Sequence, residues 1–207
     1  MADRTLQIPK PWLIAFLLCA AVVFLSFAYV DVPIARRFYE HAGQLGPGLN
    51  SAIILSLEAA TVLALVGYRL ARGRLSRLGE TLGLATIASL CSYAVNDGVL
   101  KLLLGVPNPQ SVLSNGSQHA FHFLGGSNSS SFPSGHMVLA SAFAGVFMRL
   151  YPSSRLPFSA LLLFGAALLV FGDWHFASDV ISGAFVGVSA GILAGALWQV
   201  HSLDVRT

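Results

Sequence analysis

The sequence predicts an all-α, polytopic membrane protein of six transmembrane helices, with its chemical residues gathered at the outer-face helix ends. Three observations predict it. The 207 residues are 55% hydrophobic and only 10% charged, against about 25% charged in ordinary soluble domains. Mean hydropathy is +0.72 over the whole chain, which suits a single membrane domain spanning 1–207 and not a soluble domain on one anchor. Apolar stretches that span or nearly span a bilayer recur six times, at about 12–30, 52–70, 82–104, 137–151, 156–172 and 180–200.

The first stretch follows Lys10. It is long for a signal peptide and lacks a small-x-small cleavage site before Asp31, so it reads as a retained helix. The second carries Glu58, an intramembrane acid to which the sequence assigns no role. The third ends around Asp97 and Lys101, and Asp97 either neutralises the lysine or aims it. The fourth and fifth are short and are extended at one end by polar motif residues. The sixth holds Gly183, Gly187, Gly191 and Gly195, a four-residue repeat that makes one smooth face for close packing. Cys19 and Cys91 fall inside apolar runs and read as packed thiols with no disulfide.

Orientation follows from the basic residues. With six spans, Arg4, Lys10, Arg69, Arg72, Arg74, Arg77, Arg149, Arg155 and Arg206 share one side, and Arg36, Arg37 and Lys101 the other. That asymmetry puts both termini in the cytoplasm. The net charge of +3 is too small to argue for a nucleic-acid partner. The long polar segment at about 106–132 then lies on the outer face and reads as a substrate-covering loop.

Three sites converge on that face: Lys101, the run Pro133-Ser134-Gly135-His136, and His175 with Asp179. Ionisable groups are costly at membrane helix ends without a use. Pro-Ser-Gly at a helix start tolerates proline in the first turn and leaves N–H groups pointing at an anion, with glycine permitting close approach. His136 then reaches a leaving oxygen. His175 and Asp179 are four apart, on one helical face, where a carboxylate on one imidazole nitrogen makes the other nucleophilic. A metal is the other use for His136, His175, Asp179, His119 and His122. The His119-x2-His122 pair is close to ligand spacing but sits in a segment read as flexible, so no metal is assigned.

These residues resemble the type 2 phosphatidic acid phosphatase family, whose signatures are Lys-x6-Arg-Pro, Pro-Ser-Gly-His and Ser-Arg-x5-His-x3-Asp. Lys101 and Pro109 match the first, with Asn108 at the arginine position. The second matches in full. His175 and Asp179 match the third, with Leu168 and Leu169 in place of Ser-Arg. The resemblance implies a divergent bacterial member in the inner membrane, with its site periplasmic or extracellular, acting on a membrane lipid phosphate or pyrophosphate without cofactor. It also implies that His175 attacks phosphorus, Asp179 orients it, His136 protonates the leaving alcohol, and Lys101, Ser134 and Gly135 hold phosphoryl oxygens.

Charge-assisted hydrogen bonds contribute about 1.5–3 kcal/mol each. Two missing arginines therefore cost on the order of 10²–10⁴ in rate, if the terms add. Arg36, Arg37 and Asn108 are the candidate substitutes. The alternatives are a weak or inactive phospholipid-binding relative, or a phosphotransferase in which another lipid hydroxyl takes the phosphoryl group. Haloperoxidases share a related site, and a membrane-embedded chain argues against that chemistry.

Overall fold

The computed structural model describes residues 9–42, 51–127 and 130–204, and those residues form helices and turns with no strand. The first helical rod is α1 (Lys10–Leu25), a π-helical turn (Ser26–Val30) and α2 (Asp31–Ala42). α3 (Ser51–Arg72) precedes α4 (Arg77–Val95), which passes through a second π-helical turn (Asn96–Leu100) into the short α5 (Lys101–Leu104). α6 (Pro109–Asn115) lies within the polar segment. α7 (Gly135–Leu150), α8 (Arg155–Phe171) and α9 (Ala177–Asp204) complete the bundle.

Among the described residues, four helical stretches are long and apolar enough to cross a membrane: Lys10–Tyr39, Arg77–Asn115, Pro152–Phe171 and Ala177–His201. Gly135–Leu150 is apolar but shorter. The six-span reading is thus met in part.

α7 and α9 form the centre. Their contact needs the glycines expected from the repeat. A Cβ on Gly187 would stand 2.5 Å from the Val138 carbonyl, and one on Gly191 2.2 Å from that of Ala142. From α7, a Cβ on Gly145 would stand 2.9 Å from the Val188 carbonyl. Small residues let two backbones approach in this way where lipid supplies no hydrophobic drive. α1 joins α9 through Trp12, whose indole donates to Ser189 Oγ at 3.2 Å and whose ring lies 5.7 Å from Phe185.

Glu58 now has a place. Ser89 Oγ of α4 lies 2.8 Å from Glu58 Oε1 on α3 and 2.9 Å from the Leu139 carbonyl on α7, so one polar contact ties three helices. The packed-thiol expectation is corrected. Both cysteines are free, but Cys19 is only partly buried and Cys91 is exposed.

The described residues of the segment at 106–132 are tied down by hydrogen bonds, contrary to the expectation of flexibility. Helix ends leave carbonyls without partners. Here the carbonyls of Leu104, Leu103 and Leu102 accept from the N–H groups of His122, Leu124 and Gly126 at 3.1, 2.9 and 3.1 Å. Gly105 makes the turn with a positive φ of 59°, and a Cβ there would meet the His122 carbonyl at 2.4 Å. The imidazole of His119 stacks on Phe27 at 4.1 Å and meets Phe176 at 4.3 Å. Burial lowers its pKa below the ordinary histidine value.

Candidate active site

The two π-helical turns end on charged residues that are buried. The Asp31 N–H bonds to the Ser26 carbonyl, and the Lys101 N–H to the Asn96 carbonyl. An extra residue in a helical turn re-aims the side chains after it, and such turns gather at functional sites. Asp31 and Lys101 both turn inward, with 1% and 8% of their surface exposed.

α7 begins as the sequence suggests. Ser134 is its N-cap, with Oγ accepting from the Met137 N–H at 3.4 Å, and its own N–H donates to the Asp179 carbonyl at 3.0 Å. Ser134 is fully buried in this double role. Gly135 also has a packing reason that its sequence motif does not show. The space its Cβ would take is filled by the Tyr93 ring, 2.9 Å away, with Lys101 Nζ at 3.7 Å. The glycine is therefore required by packing, and the same close approach brings Lys101 to the start of α7. Asn96, fully buried, donates to the Pro133 carbonyl at 3.2 Å and fixes the turn from below.

α9 begins beside it. The Phe176 N–H donates to Asp179 Oδ2 at 2.9 Å, the reciprocal half of a capping box. That bond holds the Asp179 carboxylate under His175, whose Nδ1 lies 3.5 Å from Oδ2. Ser131 stands between them. Its hydroxyl donates to Asp179 Oδ2, and its oxygen lies 3.1 Å from His175 Nδ1. Because that hydroxyl proton goes to the carboxylate, His175 Nδ1 is the donor to the serine oxygen. The proton is thereby on Nδ1, and Nε2 keeps its lone pair. On the Nε2 side, His136 Nδ1 lies 3.4 Å away.

The expected set His175, Asp179 and His136 is thus brought together, although His136 lies 39 residues before His175. Lys101 is beside it, paired with Asp97 at 2.7 Å. The other candidates are placed differently. Asn108 caps α6, its Oδ1 accepting from the Ser111 N–H at 2.8 Å. Arg36 and Arg37 are exposed on α2 and make no hydrogen bond or ion pair with the set. Leu169 is buried in an apolar cluster with Met137 and Val180, and Leu168 is exposed. The Leu169 carbonyl still serves the site, accepting from the N–H groups of Trp174 and His175 at 3.1 and 3.2 Å.

Ser131 and Asp31 were not legible as site residues. Ser131 is one serine in a polar run, and only its N–H bond to the Val106 carbonyl at 2.7 Å sets it under the histidine. Asp31 did carry a signal, an acid closing an apolar run. Among the described residues, no group of three or more His, Cys, Asp or Glu side chains stands in a metal-binding arrangement.

The opposite end of the bundle is basic. The Arg77 guanidinium lies 5.7 Å from the Tyr151 ring, and the Arg155 Nε donates to the Met148 carbonyl. Arg77, Arg149 and Arg155 therefore lie away from the histidines, as the alternation of helices requires.

No curated protein and no solved structure matches the chain. The family model of the PAP2 superfamily matches residues 79–202, from α4 to the end of α9 and including Lys101, His136, His175 and Asp179. With more than half of its length so matched, the chain belongs to the PAP2 superfamily.

Proposed function

We propose that the protein hydrolyses the phosphate or pyrophosphate monoester of a membrane lipid through a phosphohistidine on His175. Members of the superfamily are generally phosphatases, which supports phosphoester hydrolysis in general. The finer reading is carried by one observation: His175 is held through Nδ1 by Ser131 and Asp179 while Nε2 faces His136. Nε2 forms the bond to phosphorus as the ester P–O bond breaks, and His136 gives its proton to the departing alkoxide. Water then breaks the N–P bond, with His136 as base, and releases phosphate. Lys101 and the open N–H groups at the start of α7 stabilise the phosphoryl oxygens.

A lipid substrate is supported by the long apolar helices whose ends carry the site. The charge asymmetry of the basic residues supports an outer-face site with both termini cytoplasmic, in a bacterial inner membrane. The buried, apolar Leu169 at an expected arginine position favours a slow enzyme as a second reading.

The test is phosphate release by purified protein from a panel of lipid phosphates and pyrophosphates, beside His175→Ala. Release by the wild type alone supports the proposal. Equal release by both proteins rejects it.

A further inference from the structure

We infer that Asp31, which lies outside the segment matched by the family, is a positioning residue for the catalytic turn: it caps α9 from another helix. A helix start leaves N–H groups without partners, and the N-cap side chain ordinarily accepts one of them. At the start of α9 the N-cap position is held by Phe176, which has no acceptor. The need falls on the Ser178 N–H, and Asp31 Oδ1 accepts it at 3.0 Å across 147 residues of sequence. The Ser178 hydroxyl donates to Asp31 Oδ2, and Ser26 Oγ donates to Asp31 Oδ1 at 2.9 Å. His119 Nε2 lies 3.5 Å from Oδ2, so the ordered outer segment meets the same carboxylate.

This arrangement suits a carboxylate in particular. Asp31 and Ser178 are both fully or almost fully buried, at 1% and 0% exposure. A buried charge persists only where hydrogen bonds serve it, and a carboxylate can accept several. It is also well placed electrostatically, at the positive end of a 28-residue helix. Ser178 is the immediate neighbour of Asp179, and the turn that Asp31 holds is the turn that sets Asp179 beneath His175.

Asp31 touches none of the reacting atoms in this scheme. It acts through Ser178 on the register of Asp179. The inference rests on the proposed phosphatase reading for its kinetic part and is independent of it for its structural part. Loss of the cap frees the first turn of α9, Asp179 no longer holds the His175 tautomer, and turnover falls with little change in substrate affinity.

The experiment compares wild type with Asp31→Ala, Asp31→Asn and Ser178→Ala, all as full chains in detergent. Amide hydrogen exchange is read at residues 176–180 and, as a folding control, along 183–195. Turnover is read on a phosphate ester that the wild type cleaves. For Asp31→Ala, exchange at 176–180 rises about tenfold or more while 183–195 stays protected, and kcat falls about 10- to 100-fold with KM within threefold. Asp31→Asn keeps Oδ1 as acceptor for the Ser178 N–H and restores most of both readouts. Ser178→Ala loses only the hydroxyl bond and falls between them. If Asp31→Ala unfolds, Ser178→Ala carries the same comparison against wild type and Asp31→Asn. Unchanged exchange at 176–180 in Asp31→Ala, or in Ser178→Ala where Asp31→Ala does not fold, overturns the cap. Raised exchange with wild-type kcat overturns the positioning role. A wild type that cleaves no ester rejects the phosphatase reading, and the exchange measurement still decides the cap.

Discussion

His136 Nδ1 and His175 Nε2 face each other at 3.4 Å where α7 and α9 begin, and their opposite faces are differently supported. His175 is fixed from behind by Ser131 and Asp179, while the His136 ring meets it edge-on, with interplanar angle 70°. In the proposed reaction His175 is the nucleophile and His136 the proton donor, and their 3.4 Å separation widens for phosphorus to enter. The two histidines therefore have different sensitivities to the leaving group.

His136→Ala should cut turnover of an alkyl phosphate by about 10²–10⁴, the range of general acid catalysis. An aryl phosphate such as nitrophenyl phosphate needs no proton on departure, so its defect should be much smaller. Parallel kcat measurements on the two esters check this. An equal defect on both would remove His136 as the acid.

Ser131→Ala should lower kcat by about 10- to 100-fold without unfolding the protein, because it deletes the bridge between His175 Nδ1 and Asp179. Asp179 keeps its bond from the Phe176 N–H, so the carboxylate stays in place. Steady-state kinetics beside a thermal midpoint separate the two effects. Wild-type turnover would show that Asp179 alone sets the tautomer.

The helical class, the glycine seam and the candidate set His136, His175 and Asp179 were readable from the sequence because each leaves a local mark. Periodicity marks the Gly183–Gly195 face, and four-residue spacing marks His175 and Asp179. What escaped depended on tertiary contact. Gly135 is required by the Tyr93 ring, a neighbour 42 residues earlier that spacing does not reveal. The polar segment read as a flexible cover because its composition is that of a loop. Its order comes from the carbonyls at the end of α5 and from the stacking of His119 on Phe27. Asp31 looked like the end of a span, because a π-helical turn that re-aims a side chain has no sequence signature.

Gly191→Val should destabilise the bundle by at least about 1–3 kcal/mol, since even its Cβ would stand 2.2 Å from the Ala142 carbonyl and 2.9 Å from the Gly145 Cα. Gly165, with open space around it, is the control position. Gly165→Ala should leave the thermal midpoint in detergent unchanged or slightly raised. Equal midpoints for the two variants would contradict a close α7–α9 contact.

Asp173 should give stability a pH dependence of definite sign. It is buried at a positive φ of 56°, and burial pushes its carboxyl from 3.8 up to about 6. The folded protein therefore binds the proton more tightly than the unfolded chain. This contribution is greatest below the unfolded value and is lost as pH rises through about 6. Asp173→Asn is neutral throughout and tolerates that backbone conformation. Its advantage over wild type should be near zero below pH ~4 and reach on the order of 1–3 kcal/mol above pH ~6.5. Thermal midpoints across that range check it, and a variant less stable than wild type at neutral pH would show that the carboxylate has a partner.

The most direct measurement is the identity of the phosphorylated atom. Protein quenched during turnover of a labelled phosphate ester should carry an acid-labile, base-stable phosphoryl group on His175, with the phosphorus resonance of an Nε2 adduct, because Nδ1 is held against Ser131 and Asp179. His175→Ala should carry none, and His136→Ala should still form the adduct from an aryl phosphate. Phosphate on Nδ1, or on another residue, or steady turnover by His175→Ala, would contradict the mechanism.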